Sequence, residues 1–310
     1  MLGWPLRGAA TIAIAVYQGP AALALYPRGF LNTFTRAKAM PGYPFYLLGR
    51  YDARGFWSYF PIAFALKTTL PALLLIVLGM VSLFRRRPTT HEIVAVLVPL
   101  CVWGTLTVVL AANIGLRYLI PAFPFLFALA SRTVKDAAGG RLYAPFALGI
   151  LHAASGLAAP DPIGYTNLLV DGPRAIAYLD DSNVDWGQGL RDLERVLAGR
   201  DPSRGPVRVL YTGGLPASLF LRGLPVADTS PDEMWDPATG RVREGDYAVS
   251  TELLLRVPEL RARLHASCGT AAWLGPSMQL YCCPRCTGPL PDEPLLSIAI
   301  PPPPSLPPRR

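Results

Sequence analysis

The sequence predicts an all-α membrane bundle of four or five transmembrane helices, followed by a small extracytoplasmic α/β domain. The first observation is composition, because 51% of the 310 residues are hydrophobic and only 16% are charged, which is unusual for a soluble domain. The second is charge distribution, since residues 1–159 hold 14 Lys/Arg against three acids, whereas residues 160–310 hold 15 Arg against 18 acids. This pattern argues against a purely soluble enzyme, a disordered protein and a nucleic-acid-binding protein.

The predicted membrane half contains four mainly apolar stretches that approach the roughly 20 residues that a helix needs to cross a bilayer. They are residues 59–84, 93–112, 116–131 and 142–158. A fifth stretch, residues 9–25, is interrupted by Gln18, Gly19 and Pro20. This fifth stretch either spans the membrane or lies in its interface.

These stretches divide the chain into four expected parts. They are an N-terminal apolar or interfacial helix with a basic outer loop (1–57), the transmembrane helices (58–159), the extracytoplasmic α/β domain (160–288) and a proline-rich tail (289–310). Arginines at 85–87 and basic residues at 132–141 mark the expected cytoplasmic side. The loop at 27–57 is also basic, so either the orientation is inverted or this outer loop contacts an anionic ligand such as a lipid phosphate.

Three motif stretches lie beside the apolar segments. They read GRYDARGFWSYFP at 49–61, NIGLRYLIP at 113–121 and DSNVDWGQ at 181–188, the last preceded by Tyr165 and Asn167. In this order and layout they resemble the C-terminal portion of bacterial polytopic GT-C glycosyltransferases, related to dolichyl-phosphate-mannose protein mannosyltransferases and lipid A aminoarabinose transferases. The resemblance covers roughly residues 40–255.

That resemblance implies an integral protein of the bacterial inner membrane that transfers a sugar from a polyprenyl-phosphate carrier to a lipid, protein or glycan acceptor at the outer face. It also implies fixed cations for the carrier phosphate and a carboxylate that deprotonates the acceptor. In this family the carboxylate follows the first transmembrane helix, and we expect the present chain to start downstream of it. The alternative is a non-catalytic membrane protein that binds polyprenyl-phosphate sugars, and a divalent metal requirement stays open.

Cationic and aromatic side chains near the expected outer face are the candidates for the carrier phosphate. Lys67 either binds it or snorkels to lipid headgroups. Arg117 either grips it through the guanidinium fork or anchors a helix end, and Arg54 is a third cation. Tyr118 fits an interfacial aromatic belt or a sugar contact. Asp52 is the candidate catalytic base, or else a loop acid that pairs with a neighbouring arginine.

The polar run at 181–188 supplies the candidates of the outer domain. They are Asp181, Asn183, Asp185, Trp186 and Gln188. Asp185 is placed to cap the helix that apolar spacing predicts over 190–197. Alternatively, Asp181 and Asp185 bind a cation or a sugar hydroxyl, and we assign no metal ligands.

The rest of the outer domain alternates short helices and strands. Strands are predicted at 207–211 and 246–250, and helices at 174–179, 190–197, 216–221 and 258–265. Four cysteines near the end, Cys268, Cys282, Cys283 and Cys286, favour disulfides in an oxidising compartment. A zinc site at the C-x-x-C pair is the alternative.

Overall fold

A computed structural model of the chain describes residues 44–110, 112–136, 142–159, 161–170, 172–236 and 238–283. The predicted apolar helix at 9–25, the first part of the basic loop, Cys286 and the proline-rich tail lie outside these residues.

A short antiparallel hairpin opens the described chain. Strands β1 (Phe45–Leu47) and β2 (Arg50–Asp52) are joined by Leu48 and Gly49, whose φ angles are 51° and 77°. Two consecutive positive φ angles are typical of the two-residue hairpin turn that matches strand twist, and the second of them suits glycine. All three residues of β1 are buried, so the hairpin is packed into the protein.

The apolar half forms a series of helices of unequal length. They are α1 (Tyr59–Lys67), α2 (Leu70–Arg85), α3 (Thr90–Glu92 continuing through π-helical Ile93–Leu97 into Val98–Leu110), α4 (Phe123–Ala130), α5 (Arg132–Asp136) and α6 (Tyr143–Leu157). A 3-10 helix, Leu116–Ala122, precedes α4. Arg132 of α5 is buried. It forms an ion pair with Glu92 of α3 at 2.7 Å and donates a hydrogen bond to Ser82 Oγ of α2, so it ties α5 to both helices.

The predicted bundle of four or five transmembrane helices is wrong. In the described ranges, one helical segment, Thr90–Val109, is long and apolar enough to cross a membrane, while α2 and α6 are shorter apolar helices. The chain is a mixed α/β protein in which these helices accompany a five-stranded sheet.

Two threonines and a proline cut the predicted span at 59–84. Thr68 leaves the helical conformation with ψ 138°, so α1 ends at Lys67. Thr69 is the N-cap of α2, and its hydroxyl accepts a hydrogen bond from the amide of Ala72 at 3.4 Å. Pro71 lies in the first turn of α2, where its missing N–H is not needed. The apolar run therefore yields helices of 9 and 16 residues.

Prolines also shorten the predicted span at 116–131. Pro121 lies inside the 3-10 helix, and Pro124 lies in the first turn of α4, which has only 8 residues. A proline removes one backbone donor and crowds the preceding turn, so it starts a helix more readily than it continues one. Apolar composition alone was therefore insufficient to predict helix length here.

The α/β part is built on a sheet of strand order β4-β3-β5-β7-β6. The strands are β3 (Val207–Leu210), β4 (Val226–Asp228), β5 (Gly245–Ser250), β6 (Gly269–Leu274) and β7 (Met278–Cys283). Strand β3 pairs in parallel with both β4 and β5, whereas β7 pairs antiparallel with β5 and β6. The helices are α7 (Leu190–Ala198), α8 (Ala217–Phe220), α9 (Thr251–Arg256) and α10 (Pro258–Ser267).

Both faces of this sheet are covered. Because successive strand residues point to opposite faces, Val209 and Ala248 pack against α7 and α8, whereas Leu210 and Tyr247 pack in a second cluster with α9 and α10. Every residue of β7 is buried. A strand buried on both faces lacks the alternation of polar and apolar residues, which is why β7 was not predicted.

A third core joins the two halves of the chain. Tyr46 of β1 and Tyr59 of α1 pack with Ile176, Leu179 and, from α9, Leu255. This cluster crosses the boundary expected at residue 159, so the hairpin and α1 are packed directly against the α/β part.

The described cysteines near the end of the sheet are oxidised. Cys268 precedes β6 and forms a disulfide with Cys283 at the end of β7, and Cys282 is disulfide-bonded as well. Within the described residues there is no group of three or more His, Cys, Asp or Glu arranged to hold a metal ion.

Candidate functional site

The three motif stretches are far apart in sequence, and they meet at Asn183. Its amide group donates to the hydroxyl of Tyr59 at 2.6 Å and accepts from the backbone amide of Leu116 at 3.0 Å. Its backbone carbonyl accepts a hydrogen bond from the ammonium of Lys67. Asn183 is 1% exposed, so one buried side chain connects residues from all three stretches. We call this contact region the motif junction.

Two glycines allow the backbones to approach at the motif junction. Gly55 has φ +78°, and a Cβ there would lie 2.4 Å from Oδ1 of Asn113, which accepts from the amide of Phe56. A Cβ on Gly115 would lie 2.1 Å from the hydroxyl of Ser182. Glycine is therefore required at both positions by close contact between two motif stretches.

Lys67 is used for internal hydrogen bonds. Its ammonium donates to the carbonyls of Ile163 and Asn183. Nearby, Asn167 donates to the carbonyls of Ala65 and Thr68 at 2.6 and 2.8 Å, which satisfies the end of α1. Lys67 thus ties the end of α1 to the α/β part, and this role differs from the expected contact with a carrier phosphate.

Arg117 has a different environment. Its guanidinium carbon lies 4.9 Å from the ring centre of Trp186 and 5.4 Å from that of Tyr118. In the described part of the chain it has no carboxylate partner. Trp186 is 61% exposed. A cation stacked on an exposed indole keeps its N–H donors available for a ligand.

Asp52 and Arg54 lie at the end of the β1–β2 hairpin, and both are exposed. The carboxylate of Asp52 accepts from the backbone amide of Arg54 at 2.6 Å. This is the hydrogen bond of an Asx turn, which gives Asp52 a local structural role.

The acids of the 181–188 run are directed inward. Asp181 has a left-handed backbone with φ 53°, and it accepts from the amide of Ser182. Asp185 is buried and does not cap α7, whose N-cap is Gly189. Instead it accepts from the amide of Gly187 at 2.9 Å and from the hydroxyl of Ser250.

Burial has a direct effect on the acidity of Asp185. Desolvation raises its pKa from 3.8 to about 6, and the hydrogen bond from Ser250 only partly opposes that shift. The folded state therefore holds this proton more tightly than the unfolded chain does. As a result, the contribution of Asp185 to stability is greatest below about pH 4 and is lost as the pH rises to about 6.

We expect Asp185→Asn to remove this pH dependence. Relative to the variant, the wild type should lose roughly 2–3 kcal/mol of unfolding free energy as the pH rises from 4 to 7, since one pKa unit corresponds to about 1.4 kcal/mol. Urea unfolding of both proteins across that range measures the difference. A constant difference between the two curves would contradict the assignment.

A buried charge cluster lies behind the motif run, and sequence reasoning did not predict it. Asp180 is 0% exposed and forms an ion pair with Arg256, which also contacts Glu252 at 3.2 Å and the carbonyl of Pro44. Desolvation raises the pKa of Asp180 well above its ordinary value, with Arg256 opposing the shift. The i, i+4 spacing of Glu252 and Arg256 predicts their pairing, but no sequence signal identifies Asp180 as a partner.

Gln188 orders the turn that carries Trp186. Its amide donates to the carbonyl of Val184 at 2.7 Å and to Asp161 at 3.1 Å, and it accepts from the amide of Trp186. This turn forms one wall of an open cleft of about 760 Å³. Other walls come from Asp161, Arg191 of α7, and Tyr211, Leu215 and Phe220 after β3.

No protein-family model matches the chain, and no curated protein and no solved structure is significantly similar to it. Function is therefore argued from the geometry of the motif junction and of the cleft beside Trp186.

Proposed function

We propose that the protein takes part in glycosyl transfer from a polyprenyl-phosphate-linked sugar, with Arg117 as the ligand of the carrier phosphate. The observation that carries this proposal is the convergence of the three motif stretches on Asn183, which leaves Arg117 beside the exposed ring of Trp186. The resemblance to polytopic GT-C glycosyltransferases was based on the same stretches. Their contacts with one another support an interpretation in which they form one site.

The chemistry of Arg117 suits a lipid-linked phosphate. A guanidinium donates two parallel hydrogen bonds to phosphate oxygens and stays charged at any physiological pH. Lys67 is excluded from this role in the proposal, because its ammonium is occupied by two backbone carbonyls. Of Lys67 and Arg117, the proposal therefore retains Arg117.

Membrane attachment of the protein is part of the proposal. Helix α3 contains the candidate span Thr90–Val109, and apolar side chains on neighbouring helices, such as Leu74 and Phe146, are exposed. Exposed apolar surface of this extent favours contact with lipid. The disulfide between Cys268 and Cys283 favours an extracytoplasmic position for the α/β part.

A second candidate function is binding of polyprenyl-phosphate sugars without transfer. Its support is that the acids of the motif stretches are engaged by the protein. Asp52 accepts from the amide of Arg54, and Asp185 accepts from Ser250 and Gly187. Release of polyprenyl phosphate from a labelled carrier-linked sugar in vesicles separates transfer from binding alone.

We expect Arg117→Ala to weaken polyprenyl-phosphate binding by roughly 10- to 100-fold, because one charged hydrogen-bonding group contributes about 1.5–3 kcal/mol. The affinity of Arg117→Lys should lie between those of the wild type and Arg117→Ala, since lysine keeps the charge and loses the guanidinium fork. Binding to detergent-solubilised protein is measured by titration, and circular dichroism verifies folding.

The matched control is Arg222→Ala, which removes an exposed arginine from the α/β part. It should bind as the wild type does. Equal losses in both variants would reflect general electrostatic attraction, and wild-type affinity in Arg117→Ala would refute the proposed role.

A further inference from the structure

The cleft beside Trp186 lies at the carboxyl end of β3. Strand β3 pairs with β4 on one side and with β5 on the other. After β3 the chain passes through α8 to β4, which lies on one side of β3. The chain then reaches β5, which lies on the other side of β3. Open α/β sheets bind ligands in a crevice outside the carboxyl ends of the strands. The crevice forms where the connections from two neighbouring strands run to opposite sides of the sheet. The cleft borders this position on the side of β3, through Tyr211 and the loop that follows it.

Three aromatic side chains line the cleft. Trp186 and Phe220 are 61% and 59% exposed, and Tyr211 lies between them in the chain. The loop after β3 is shaped around Tyr211, whose hydroxyl donates to the carbonyl of Leu215. A Cβ on Gly213 would lie 2.1 Å from the Tyr211 ring. The ring of Tyr211 therefore packs against the loop that follows β3.

The charged side chains of the cleft are of both signs. Arg191 and Arg195 lie on α7 with Asp192 and Glu194, and Asp161 lies opposite them. Arg195 and Asp192 neutralise one another at 2.6 Å. Two arginines and three acids therefore line the cleft, so neither sign of charge dominates it.

The N-terminus of α8, which follows the loop after β3, is also unavailable to an anion. The carboxylate of Asp228 accepts from the amide of Ala217 at 2.6 Å, and it accepts from the hydroxyl of Ser218 as well. A phosphate at the start of α8 would therefore have to displace a carboxylate. Exposed aromatic faces combined with hydrogen-bonding side chains of both signs suit a neutral ligand with many hydroxyls.

We propose that this cleft binds the neutral saccharide part of the acceptor. The inference rests on the proposed function, and it deepens that function by naming the acceptor class. Trp186 belongs to the cleft and also stacks on Arg117. A saccharide in the cleft therefore lies beside the group that holds the carrier phosphate, as transfer between the two requires.

The test uses the full chain in detergent and two substitutions outside the stack of Arg117 on Trp186. The probes are methyl glycosides of glucose, mannose, galactose and arabinose, detected by saturation-transfer NMR. Phe220→Ala should weaken binding at least about fivefold by removing an aromatic face. Leu215→Arg should abolish binding by filling the cleft with a charged side chain. Leu219→Ala is the matched control, because Leu219 is exposed on the same helix and does not line the cleft.

Polyprenyl phosphate and inorganic phosphate are titrated in parallel. The inference expects that the cleft variants bind polyprenyl phosphate as the wild type does, and that inorganic phosphate does not displace the saccharide. It is overturned if the wild type binds none of the four glycosides, if Phe220→Ala and Leu215→Arg both bind them normally, or if phosphate competes. Saccharide binding without polyprenyl-phosphate binding would refute the proposed function and the acceptor role together. Polyprenyl-phosphate binding without saccharide binding would refute the cleft inference alone.

Discussion

Arg256→Met is expected to destabilise the protein by about 3–5 kcal/mol at pH 8, which is the usual cost of removing one partner from a buried ion pair. Arg256 pairs with Asp180, contacts Glu252, and donates to the carbonyl of Pro44 before β1. Methionine keeps an unbranched apolar stem and removes the charged guanidinium. The carboxylate of Asp180 would then be buried without a cation.

The pH dependence of this loss identifies its cause. Asp180 already has a raised pKa, and loss of Arg256 raises it further. The folded variant then binds this proton more tightly than the folded wild type does, so the cost of the substitution falls as the pH decreases and Asp180 becomes protonated in both proteins. Chemical unfolding at pH 4.5 and pH 8 measures the loss of stability at each pH.

The control is Arg222→Met, at an exposed position, which should change stability by no more than about 0.5 kcal/mol. A pH-independent loss for Arg256→Met would show that lost packing dominates.

Asn183→Ala is expected to have the second-largest effect, a loss of about 2–4 kcal/mol. The substitution leaves the hydroxyl of Tyr59 and the amide of Leu116 without their hydrogen-bond partner in a buried region, and each such group costs about 1–3 kcal/mol. Tyr59→Phe removes one of these bonds and leaves no orphaned hydroxyl, so it should cost only about 1 kcal/mol.

A double-mutant cycle of Asn183→Ala and Tyr59→Phe measures the coupling between the two side chains. We expect the double variant to be more stable than the sum of the single losses predicts, because both ends of one hydrogen bond are removed. Additive losses would mean that the two side chains are not coupled. Asn183→Ala should also weaken polyprenyl-phosphate binding, since Leu116 precedes Arg117 in the segment that Asn183 holds.

Local signals in the sequence predicted much of the α/β part. The spacing of Leu190, Leu193 and Leu197 predicted a helix, and all three are buried on α7. The strand predicted at 246–250 corresponds to β5. These predictions succeeded because one-sided burial imposes a period on the sequence. The same reasoning failed for β7, because all of its residues are buried and no period results.

Helix lengths in the apolar half were overestimated for a related reason. The predicted span at 59–84 was judged by apolar composition, whereas Thr69 and Pro71 start a new helix inside it. A capping threonine followed by a proline is a readable signal, and it outweighs hydropathy in setting the end of α1.

The sequence by itself determined many of the local elements and the kinds of side chain available, namely cations, a tryptophan, and a polar run at 181–188. Only the tertiary structure decided which cation stays available to a ligand. Lys67 is occupied by the carbonyls of Ile163 and Asn183, while Arg117 is stacked on Trp186. The physical reason is that the carbonyls that accept hydrogen bonds from the Lys67 ammonium lie about a hundred residues away in the chain. Local sequence patterns carry no information about contacts at that separation.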